Sequence, residues 1–566
     1  MKKIFVLILF LLLIPAAFAK SGSLKLLAVS NVETSPIGSV ASLDLEIKQG
    51  TGRVFIDSFP LSKLDTQIST RFAKEVACNF LEKDCNLYDF FYTIRANSQV
   101  IGGPSAGAAI TVLTIAVLED LDIDETATIT GTINTGGIIG PVGSILPKTE
   151  AAGKNGLTKI LIPKYTASNL TNVSDYEELY DVEIIEVSQL TEAVKEITGK
   201  DYSIDSELDI SHSYIETMNK ISKQMCDKAE KMSQEAYETE ENNTAFILLK
   251  RGKDALETEE FYSAASYCFG SKINLRYKIL QDDELSEKQI EKLIASTKKR
   301  ADNFLNQTKN LEKQTLTDLE AYMAVTDRII EANDRLIAAE FALENNNTNT
   351  SLYQLGYAIE RLNSAQQWSV FFENKGKEFQ ISQEDLERSC LEKISEVEER
   401  LQYLSLYFSR STADIQESLI RANEDYNKDN PELCLYKASI AKAQVDLVIN
   451  NMAVGEDYVE EVIEDRLGLV RSLIAKQNSK GTFPILAYSY YEYANSLKEK
   501  DQYSTLLYLE YALELGNLDI YFEKQKISLP KLPTDFIIFY LSGLLSGFVA
   551  ALILIRYLKK KTRKRL

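Results

Sequence analysis

The segment GGPSAGAAI, at residues 102–110, decides how the N-terminal part of this chain is interpreted. It places a proline and a serine between glycines, directly before an apolar run that is typical of a buried helix. A serine before a helix is commonly an N-cap, but flanking glycines also let another molecule approach Ser105 closely. The segment therefore leaves two alternatives for Ser105, a helix cap or a nucleophile.

A nucleophilic serine needs a neighbouring base that accepts its proton, and this base is most often a histidine. The chain has one histidine among 566 residues, His212. It lies in DISHSY, beyond the glycine-rich part of the chain, and we interpret it as a surface residue of a linker. A lysine can act as the base instead if apolar surroundings lower its pKa from about 10.4 towards neutrality.

Two motifs downstream of Ser105 supply such a lysine. Thr130-Gly131 ends a strand-like segment, and GPVGSILPK at residues 140–148 forms a glycine turn that leads to Lys148 and then to TEAAGKNG. With GPSAG, these motifs resemble in order and spacing the proteolytic domain of the Lon family. The resemblance spans roughly residues 38–198 and is closest to the archaeal membrane branch and to Lon-like proteases that lack an ATPase.

The resemblance implies an α+β proteolytic domain with a Ser-Lys dyad. Ser105 would be the nucleophile, Lys148 the base, and the Thr130 hydroxyl would orient the lysine amine. The backbone N–H groups of Gly103 and Ser105 are candidates for the oxyanion hole, because Ser105 opens a helix. Isoleucines near the turn, together with Leu146, are candidates for the apolar wall around Lys148: Ile138, Ile139 and Ile145.

The chain also departs from the family at two positions near the dyad. Gly102 stands where many members have an acidic residue, and Thr132 stands where many have glutamate after Thr-Gly. The resemblance therefore leaves two functions open. The first is hydrolysis of unfolded or flexible polypeptides by a serine endopeptidase, and the alternative is a weak or inactive domain on a scaffold for protein binding or adhesion.

Neither a cofactor nor a metal is expected. The chain contains no G-x-x-x-x-G-K-[ST] motif, so we expect hydrolysis that does not use ATP. It contains no C-x-x-C motif either, and its single histidine argues against a zinc site. Lon domains often form hexamers, but the oligomeric state of this chain does not follow from the resemblance.

The two ends of the chain predict a single-pass membrane protein. Residues 1–19 have the basic start, apolar centre and Ala-Phe-Ala end of a secretory signal peptide. Residues 536–555 form an uncharged apolar run of about 20 residues, the length of a transmembrane helix. The basic tail at 556–566 then belongs in the cytoplasm and the bulk of the chain outside it.

The charge balance of the chain argues against anionic binding partners. The chain has 83 acidic residues against 63 lysines and arginines, a net charge of −20. Several of the basic residues lie in the C-terminal tail, so the rest of the chain is still more acidic. Such a surface argues against binding to nucleic acid or to anionic lipid.

The pattern of residues changes near position 200, which predicts two regions outside the membrane. Residues 24–200 mix short strands and helices. We expect a hairpin at residues 39–59 with its turn at 49–52, and a helix from about residue 65 capped by Asp65 or Thr66. A role for these cap residues beside the active site is the alternative.

Residues 205–530 are predicted to be almost wholly helical. Four segments, at 255–277, 342–365, 422–444 and 494–516, each join a helix end, a polar turn and a Tyr/Ala/Leu-rich helix. They predict helical hairpins, either stacked like tetratricopeptide repeats or packed as a bundle; a coiled coil is disfavoured because no heptad pattern runs unbroken.

Six cysteines in an oxidising compartment favour disulfides. Their spacing suggests the pairs Cys78–Cys85, Cys226–Cys268 and Cys390–Cys434, and we expect the last two to join the helices of hairpins.

Overall fold

The computed structural model describes residues 20–32, 35–96, 103–165, 173–203, 208–236, 243–373, 378–405, 413–452 and 454–524, and residues 547, 551, 552, 555 and 556. Met1–Phe522 form one compact unit and Glu523–Leu566 a second. The predicted signal peptide lies outside the described residues, as do most of 536–555 and 556–566. Among the residues described, no helix combines the length and apolar character needed to cross a membrane.

The N-terminal region is built on a seven-stranded mixed sheet, as its α+β pattern predicts. In chain order its strands are β1 (Lys20–Val32), β2 (Ser35–Gln49), β3 (Val54–Phe59), β4 (Tyr88–Ala96), β5 (Ala127–Ile129), β8 (Lys159–Pro163) and β9 (Glu183–Val187). Across the sheet they follow the order β3-β4-β2-β1-β5-β8-β9. Two short strands, β6 (Thr132–Ile133) and β7 (Ile139–Gly140), pair separately from this sheet.

The predicted hairpin at residues 39–59 is wrong in its pairing. Both strands exist, but β4 lies between them, parallel to β3 and antiparallel to β2. The carboxylate of Asp89, at the start of β4, accepts hydrogen bonds from the backbone N–H groups of Thr51 and Arg53. The turn is thereby fixed on β4, and β3 continues along the far edge of that strand. The actual hairpin joins β1 and β2.

In the described part of this region, five helices accompany the sheet: α1 (Leu64–Leu81), α2 (Gly107–Glu119), α3 (Ile145–Lys154), α4 (Val173–Tyr180) and α5 (Leu190–Thr198). All residues of α2 from Gly107 to Leu118 are buried, because α2 packs against β1, α1 and α5. A helix that is apolar on every face needs such complete burial. The predicted cap of α1 is wrong: Lys63 occupies the N-cap position without a side-chain cap, and Asp65 and Thr66 lie in the first turn.

The residues described between 208 and 515 form four successive units of three helices, which explains the repeat seen in the sequence. The units are α6 (His212–Glu235), α7 (Thr244–Glu257) and α8 (Phe261–Asp282); α9 (Glu287–Lys309), α10 (Leu316–Glu344) and α11 (Thr348–Trp368); α12 (Gln383–Ser405), α13 (Ala413–Asn427) and α14 (Pro431–Asn451); and α15 (Val459–Ser479), α16 (Ile485–Leu497) and α17 (Gln502–Leu515). The four segments that resemble one another in sequence cover the turn and the second helix of a helical hairpin. These hairpins are α7–α8 for 255–277, α10–α11 for 342–365, α13–α14 for 422–444 and α16–α17 for 494–516. A two-residue strand, β10 (Phe379–Gln380), precedes α12, and β11 (Glu523–Lys524) belongs to the second unit of the chain.

These units close into a bundle. The first and fourth units are in contact: the backbone N–H of Ser263 donates to Glu492 Oε1 at 2.8 Å, and the ring of Tyr262 packs edge-on against Tyr490 and Tyr493. One apolar cluster includes residues of all four units. An open stack of repeats would contact only its neighbours, so the contact between the first and fourth units favours the bundle alternative.

All three predicted disulfides are present, with sequence separations of 7, 42 and 44. Cys78–Cys85 joins the end of α1 to the start of the next segment. The two longer bridges connect α6 to α8 in the first unit and α12 to α14 in the third. The expectation that they join the two helices of a hairpin is wrong, since each joins the first and third helices of a unit.

The bundle packs directly on α1. Ile68 and Phe72 of α1 share an apolar cluster with Tyr403 of α12 and Ile449 of α14. Lys476 in α15 and Lys480, directly after the end of that helix, each place Nζ 2.7 Å from Glu82 Oε1, just beyond α1. Both regions therefore lie in one compact unit, and the boundaries 24–200 and 205–530 stay predictions.

Candidate functional site

The serine turn consists of Gly103 and the short 3-10 helix Pro104–Ala106, which leads into α2. Gly103 has φ of +101°, a backbone conformation in which a side chain would be strained. Ser105 is half-buried, and the N-cap position of α2 is taken by Ala106. The cap alternative for Ser105 is therefore wrong, and its side chain is available for another role.

Helix α1 holds this turn from one side. Thr66 Oγ1 donates to the carbonyl oxygen of Gly103 at 3.4 Å, and Ser69 Oγ donates to that of Pro104 at 3.3 Å. Sequence reasoning gave Thr66 only a capping role, with a place beside the site as the alternative, and it missed Ser69. The signal was the row of small polar residues Thr66, Ser69 and Thr70, which share one helix face at i, i+3 and i+4.

The Thr130-Gly131 pair holds the turn from the other side. The N–H of Gly131 donates to the carbonyl oxygen of Ser105 at 2.9 Å, and the N–H of Ala108 donates to the carbonyl oxygen of Gly131 at 3.0 Å. A Cβ on Gly131 would lie 2.6 Å from Ile139 Cγ2, so no larger residue fits without displacing β7. The strand-like segment that ends at Thr130-Gly131 is β5, and the short strand β6 follows the pair.

Lys148 reaches the same place from α3. Its side chain is only 4% exposed, and its Nζ donates to Thr130 Oγ1 at 2.9 Å. Thr130 Oγ1 in turn lies 3.5 Å from the carbonyl oxygen of Ser105. The structure thus brings together three residues that the sequence singles out, Ser105, Thr130 and Lys148, although 25 and 18 positions separate them along the chain.

The electrostatics of Lys148 are unusual for a lysine. Burial lowers its pKa to about 8, since water that would solvate the ammonium is excluded. No ion pair with a carboxylate is found for Lys148 in the part of the chain that the structure describes. About one molecule in ten therefore holds a neutral amine at pH 7, and a neutral amine has a lone pair that can accept a proton.

The residues predicted to form the apolar wall around Lys148 do not share one apolar cluster. Ile139 and Ile145 are buried in the core of the α+β region, while Leu146 is half-buried. Ile138 instead packs with the apolar cluster of the helical bundle. The bundle reaches into the α+β region at this turn, which the sequence of the turn does not reveal.

Other potential bases and ligands lie elsewhere. His212 begins α6 with an 85% exposed side chain, 3.2 Å from Glu216, so it occupies a surface. Within the described ranges no cluster of His, Cys, Asp or Glu could hold a metal ion. Thr132, one of the two departures from the family pattern, lies half-buried in β6, and Gly102 is outside the described residues.

Comparisons with known proteins agree with this geometry. Residues 94–199 match the Lon protease (S16) C-terminal proteolytic domain. An archaeal Lon protease of Halobacterium salinarum is 30% identical over 116 residues, which are 20% of this chain and 16% of that protein. Lon protease 2 of Bacillus subtilis is 33% identical over 97 residues, 17% of each chain.

An archaeal Lon protease of Archaeoglobus fulgidus is likewise 33% identical over 116 residues, 20% of this chain and 18% of that protein. The chain thus covers less than a fifth of the length of these three relatives. The matched residues run from the end of β4 to the end of α5 and include the serine turn, Thr130 and Lys148. This region is similar to the proteolytic part of Lon proteases.

Proposed function

We propose that the chain is a serine endopeptidase of the Lon type that uses Ser105 and Lys148 as a catalytic dyad. The observation that supports this most strongly is the position of Lys148 Nζ, buried and donating to Thr130 Oγ1 at 2.9 Å, while Thr130-Gly131 is hydrogen-bonded to the Ser105 backbone. A solvated surface lysine would have neither the lowered pKa nor the link to the serine turn.

The proposed reaction begins with the neutral amine of Lys148. The amine accepts the proton of the Ser105 hydroxyl as Oγ attacks the carbonyl carbon of a peptide bond. The tetrahedral oxyanion is stabilised by backbone N–H groups of the serine turn, with Gly103 as the candidate. The Lys148 ammonium then gives its proton to the amine of the substrate as the peptide bond breaks. The amine product departs, and the acyl group stays bound to Ser105 as an ester.

Water completes the cycle by the same chemistry. The amine, neutral again, removes a proton from water, the resulting nucleophile attacks the ester, and Ser105 Oγ leaves with the proton of Lys148. Thr130 is a positioning residue in this scheme: its hydroxyl accepts one N–H of Lys148 and leaves the lone pair for the substrate proton.

We propose unfolded or flexible polypeptides as substrates and hydrolysis without ATP, because the chain contains no phosphate-binding loop motif. We also propose a single-pass membrane location with the bulk of the chain outside the cytoplasm, from the sequence of residues 1–19 and 536–566. Tags placed after residue 32 and at the C-terminus test the orientation, since external protease should remove only the first from intact cells.

A fluorophosphonate probe that labels nucleophilic serines tests the catalytic proposal. Wild-type protein should be labelled at Ser105, and Ser105→Ala should not be labelled. Ser23→Ala, at an exposed position of β1, is the matched control and should behave like the wild type. Equal labelling of wild type and Ser105→Ala would leave the alternative, an inactive domain on a binding scaffold.

A further inference from the structure

Strand β3 lies at one end of the seven-stranded sheet, so in the described chain one of its long sides has no neighbouring strand. On its other side β3 runs parallel to β4. Directly before β3, the carbonyl oxygen of Arg53 accepts a hydrogen bond from the N–H of Phe90 in β4 at 2.8 Å. The backbone groups of successive residues in a strand point to opposite sides. The N–H and C=O groups of Val54, Ile56 and Ser58 therefore point to the open edge.

The open edge of β3 lacks the usual protection. Unused backbone donors and acceptors along an edge pair readily with another extended chain. Native proteins commonly prevent this with a lysine, a proline, a bulge or a short edge strand. The sequence of β3 is VFIDSF, six residues without lysine or proline, and its one charge is Asp57. A strand of another molecule can therefore continue the sheet here.

The side chains beside this edge are exposed and ordered by charge. Arg53, Phe55 and Asp57 share one face of the sheet, since residues two apart in a strand point the same way. The side chains of Arg53 and Asp57 are 65% and 69% exposed, and Phe55 is 39% exposed. The ring of Phe55 stacks on that of Phe91 in β4, with 4.7 Å between the centroids. The edge thus presents a cation, an aromatic ring and a carboxylate at equal spacing.

This order of side chains is self-complementary. When two copies of β3 lie antiparallel with Phe55 opposite Phe55 of the second copy, Arg53 of each copy lies opposite Asp57 of the other. These are non-hydrogen-bonded pairs, in which opposite side chains approach most closely. In the same register Val54 lies opposite Ile56 of the second copy, and their outward N–H and C=O groups can bond to each other.

Other registers lose this match. A shift by one residue sets outward backbone groups opposite residues whose backbone groups point towards β4, so the ladder of hydrogen bonds cannot form. A shift by two residues keeps the ladder but takes Arg53 away from Asp57 of the second copy. The register centred on Phe55 is therefore the one that satisfies both the backbone and the charges.

The ion pairs already present leave both charged side chains able to make this contact. Arg53 Nη2 lies 2.8 Å from Asp89 Oδ2, and a guanidinium has further N–H donors. Asp57 pairs with Arg95 of β4, and a carboxylate can accept at both of its oxygens. Joining two copies of β3 therefore adds partners to these groups without removing those they have.

We propose that β3 is a homodimer interface, at which two copies of the chain pair edge to edge, antiparallel about a two-fold axis at Phe55, into one continuous sheet. A second copy is favoured over an unrelated strand because the two-fold axis satisfies the pair of Arg53 with Asp57 twice. The contact of one strand is smaller than a standard interface, so the dimer should dissociate on dilution. The inference does not depend on the catalytic proposal.

The variant Phe55→Cys in the full-length chain tests the register. The native cysteines are all in disulfides, so the new thiol is the only free one. Opposite residues of a non-hydrogen-bonded pair have Cα atoms about 4.5 Å apart, within the range of a disulfide, so mild oxidation should give a covalent dimer on a non-reducing gel. Phe59→Cys, on the same strand and 72% exposed, is the matched control and should not cross-link, because it lies away from the axis. Equal cross-linking of both variants, or none with Phe55→Cys, would overturn the interface.

Charge reversal tests the contact without cysteine chemistry. Arg53→Glu sets carboxylates opposite each other on both sides of the axis, and Asp57→Arg sets guanidinium groups there. In sedimentation velocity, each variant alone should self-associate at least about tenfold more weakly than the wild type. An equal mixture of the two variants should form dimers again, because the opposed charges are then unlike.

The mixture also guards against misfolding, since two misfolded variants would not restore each other. Lys154→Glu, at a 63% exposed position of α3, is the control and should self-associate like the wild type. Three results would each contradict the proposal: a wild-type protein that stays monomeric at all concentrations, an oligomer that both reversals leave unchanged, or a mixture that does not associate.

Discussion

Buried lysines occur in both regions of this molecule, and their surroundings differ. Lys148, in the α+β region, has a threonine hydroxyl as its partner, and burial lowers its pKa to about 8. Lys393, in the bundle, is equally buried, but its Nζ lies 2.9 Å from Glu396 and 3.3 Å from Glu514. Although burial acts in the opposite direction, these carboxylates and Tyr521 raise the pKa of Lys393 well above its ordinary value.

The difference separates two uses of a buried amine. A lysine surrounded by carboxylates remains an ammonium and can only stabilise structure. A lysine that is buried with a neutral partner gives up its proton near physiological pH and can act as a base. Burial beside carboxylates does not lower the pKa of a lysine, whereas burial without a counter-charge does.

Replacing Lys148 gives the largest expected effect on activity. Lys148→Met removes the proton acceptor, and peptide hydrolysis should fall by about 10³-fold. The free energy of unfolding at pH 7 should not fall, because an unpaired buried cation is removed. Lys154→Met, a 63% exposed lysine of the same helix, is the control and should keep wild-type activity. A Lys148→Met protein that hydrolyses peptides at the wild-type rate would contradict the role of Lys148 as the base.

Replacing Lys393, unlike replacing Lys148, should lower the free energy of unfolding. Lys393→Met leaves Glu396 and Glu514 buried with fewer cations, so the free energy of unfolding should fall by about 3–5 kcal/mol. Denaturant unfolding measures this. Lys428→Met, whose side chain is 68% exposed beside Glu424, should cost less than about 1 kcal/mol. Equal stability of the two variants would show that the bundle does not depend on its buried charges.

The rate of hydrolysis should depend on pH through Lys148. The active form has a neutral amine, so the rate should rise about tenfold per pH unit below pH 8 and level off above it. The free energy of unfolding should also rise with pH. In the unfolded chain Lys148 keeps its proton up to about pH 10.4, whereas in the folded protein it loses the proton near pH 8. The free energy of unfolding should therefore rise between these two pH values. Lys148→Met should lose this rise, and a rate that is flat from pH 6 to 9 would contradict the assignment.

Replacing Thr130 gives the smallest expected effect on activity. Thr130→Val removes the hydroxyl that accepts the Lys148 N–H, a hydrogen bond worth about 0.5–1.5 kcal/mol, so kcat should fall by roughly 2- to 10-fold. The conservative Thr130→Ser should restore most of the activity. A rescue by Ser, with KM unchanged in both variants, separates positioning of the amine from loss of packing.

The parts of this molecule that the sequence predicts are those that local residues determine. The serine turn follows from glycines around Ser105, the helical hairpins from polar turns between apolar helices, and the disulfide pairs from cysteine spacing. The family resemblance, rather than periodicity, pointed to Lys148 and Thr130, and the fold places the two side chains within hydrogen-bond distance.

The parts that remained hidden depend on contacts between distant segments. Asp89 fixes a turn 36 positions away and so moves β3 to the edge of the sheet, which no local hairpin signal reveals. Ser69 acquires its place only when α1 meets the serine turn. The packing of Tyr403 and Ile449 against Ile68 and Phe72 requires the bundle to dock on α1, and neither α12 nor α14 carries a motif for that contact.

The most direct test of the account is the protonation of Lys148 itself. A titration of ¹³Cε-lysine signals by NMR follows each amine, and the signal of Lys148 is assigned by its loss in Lys148→Met. The account predicts a midpoint near pH 8 for this signal, while that of Lys393 stays at the ammonium position throughout. A Lys148 midpoint near 10.5, the ordinary value for lysine, would contradict the claim that burial lowers the pKa of this amine enough for it to act as a base.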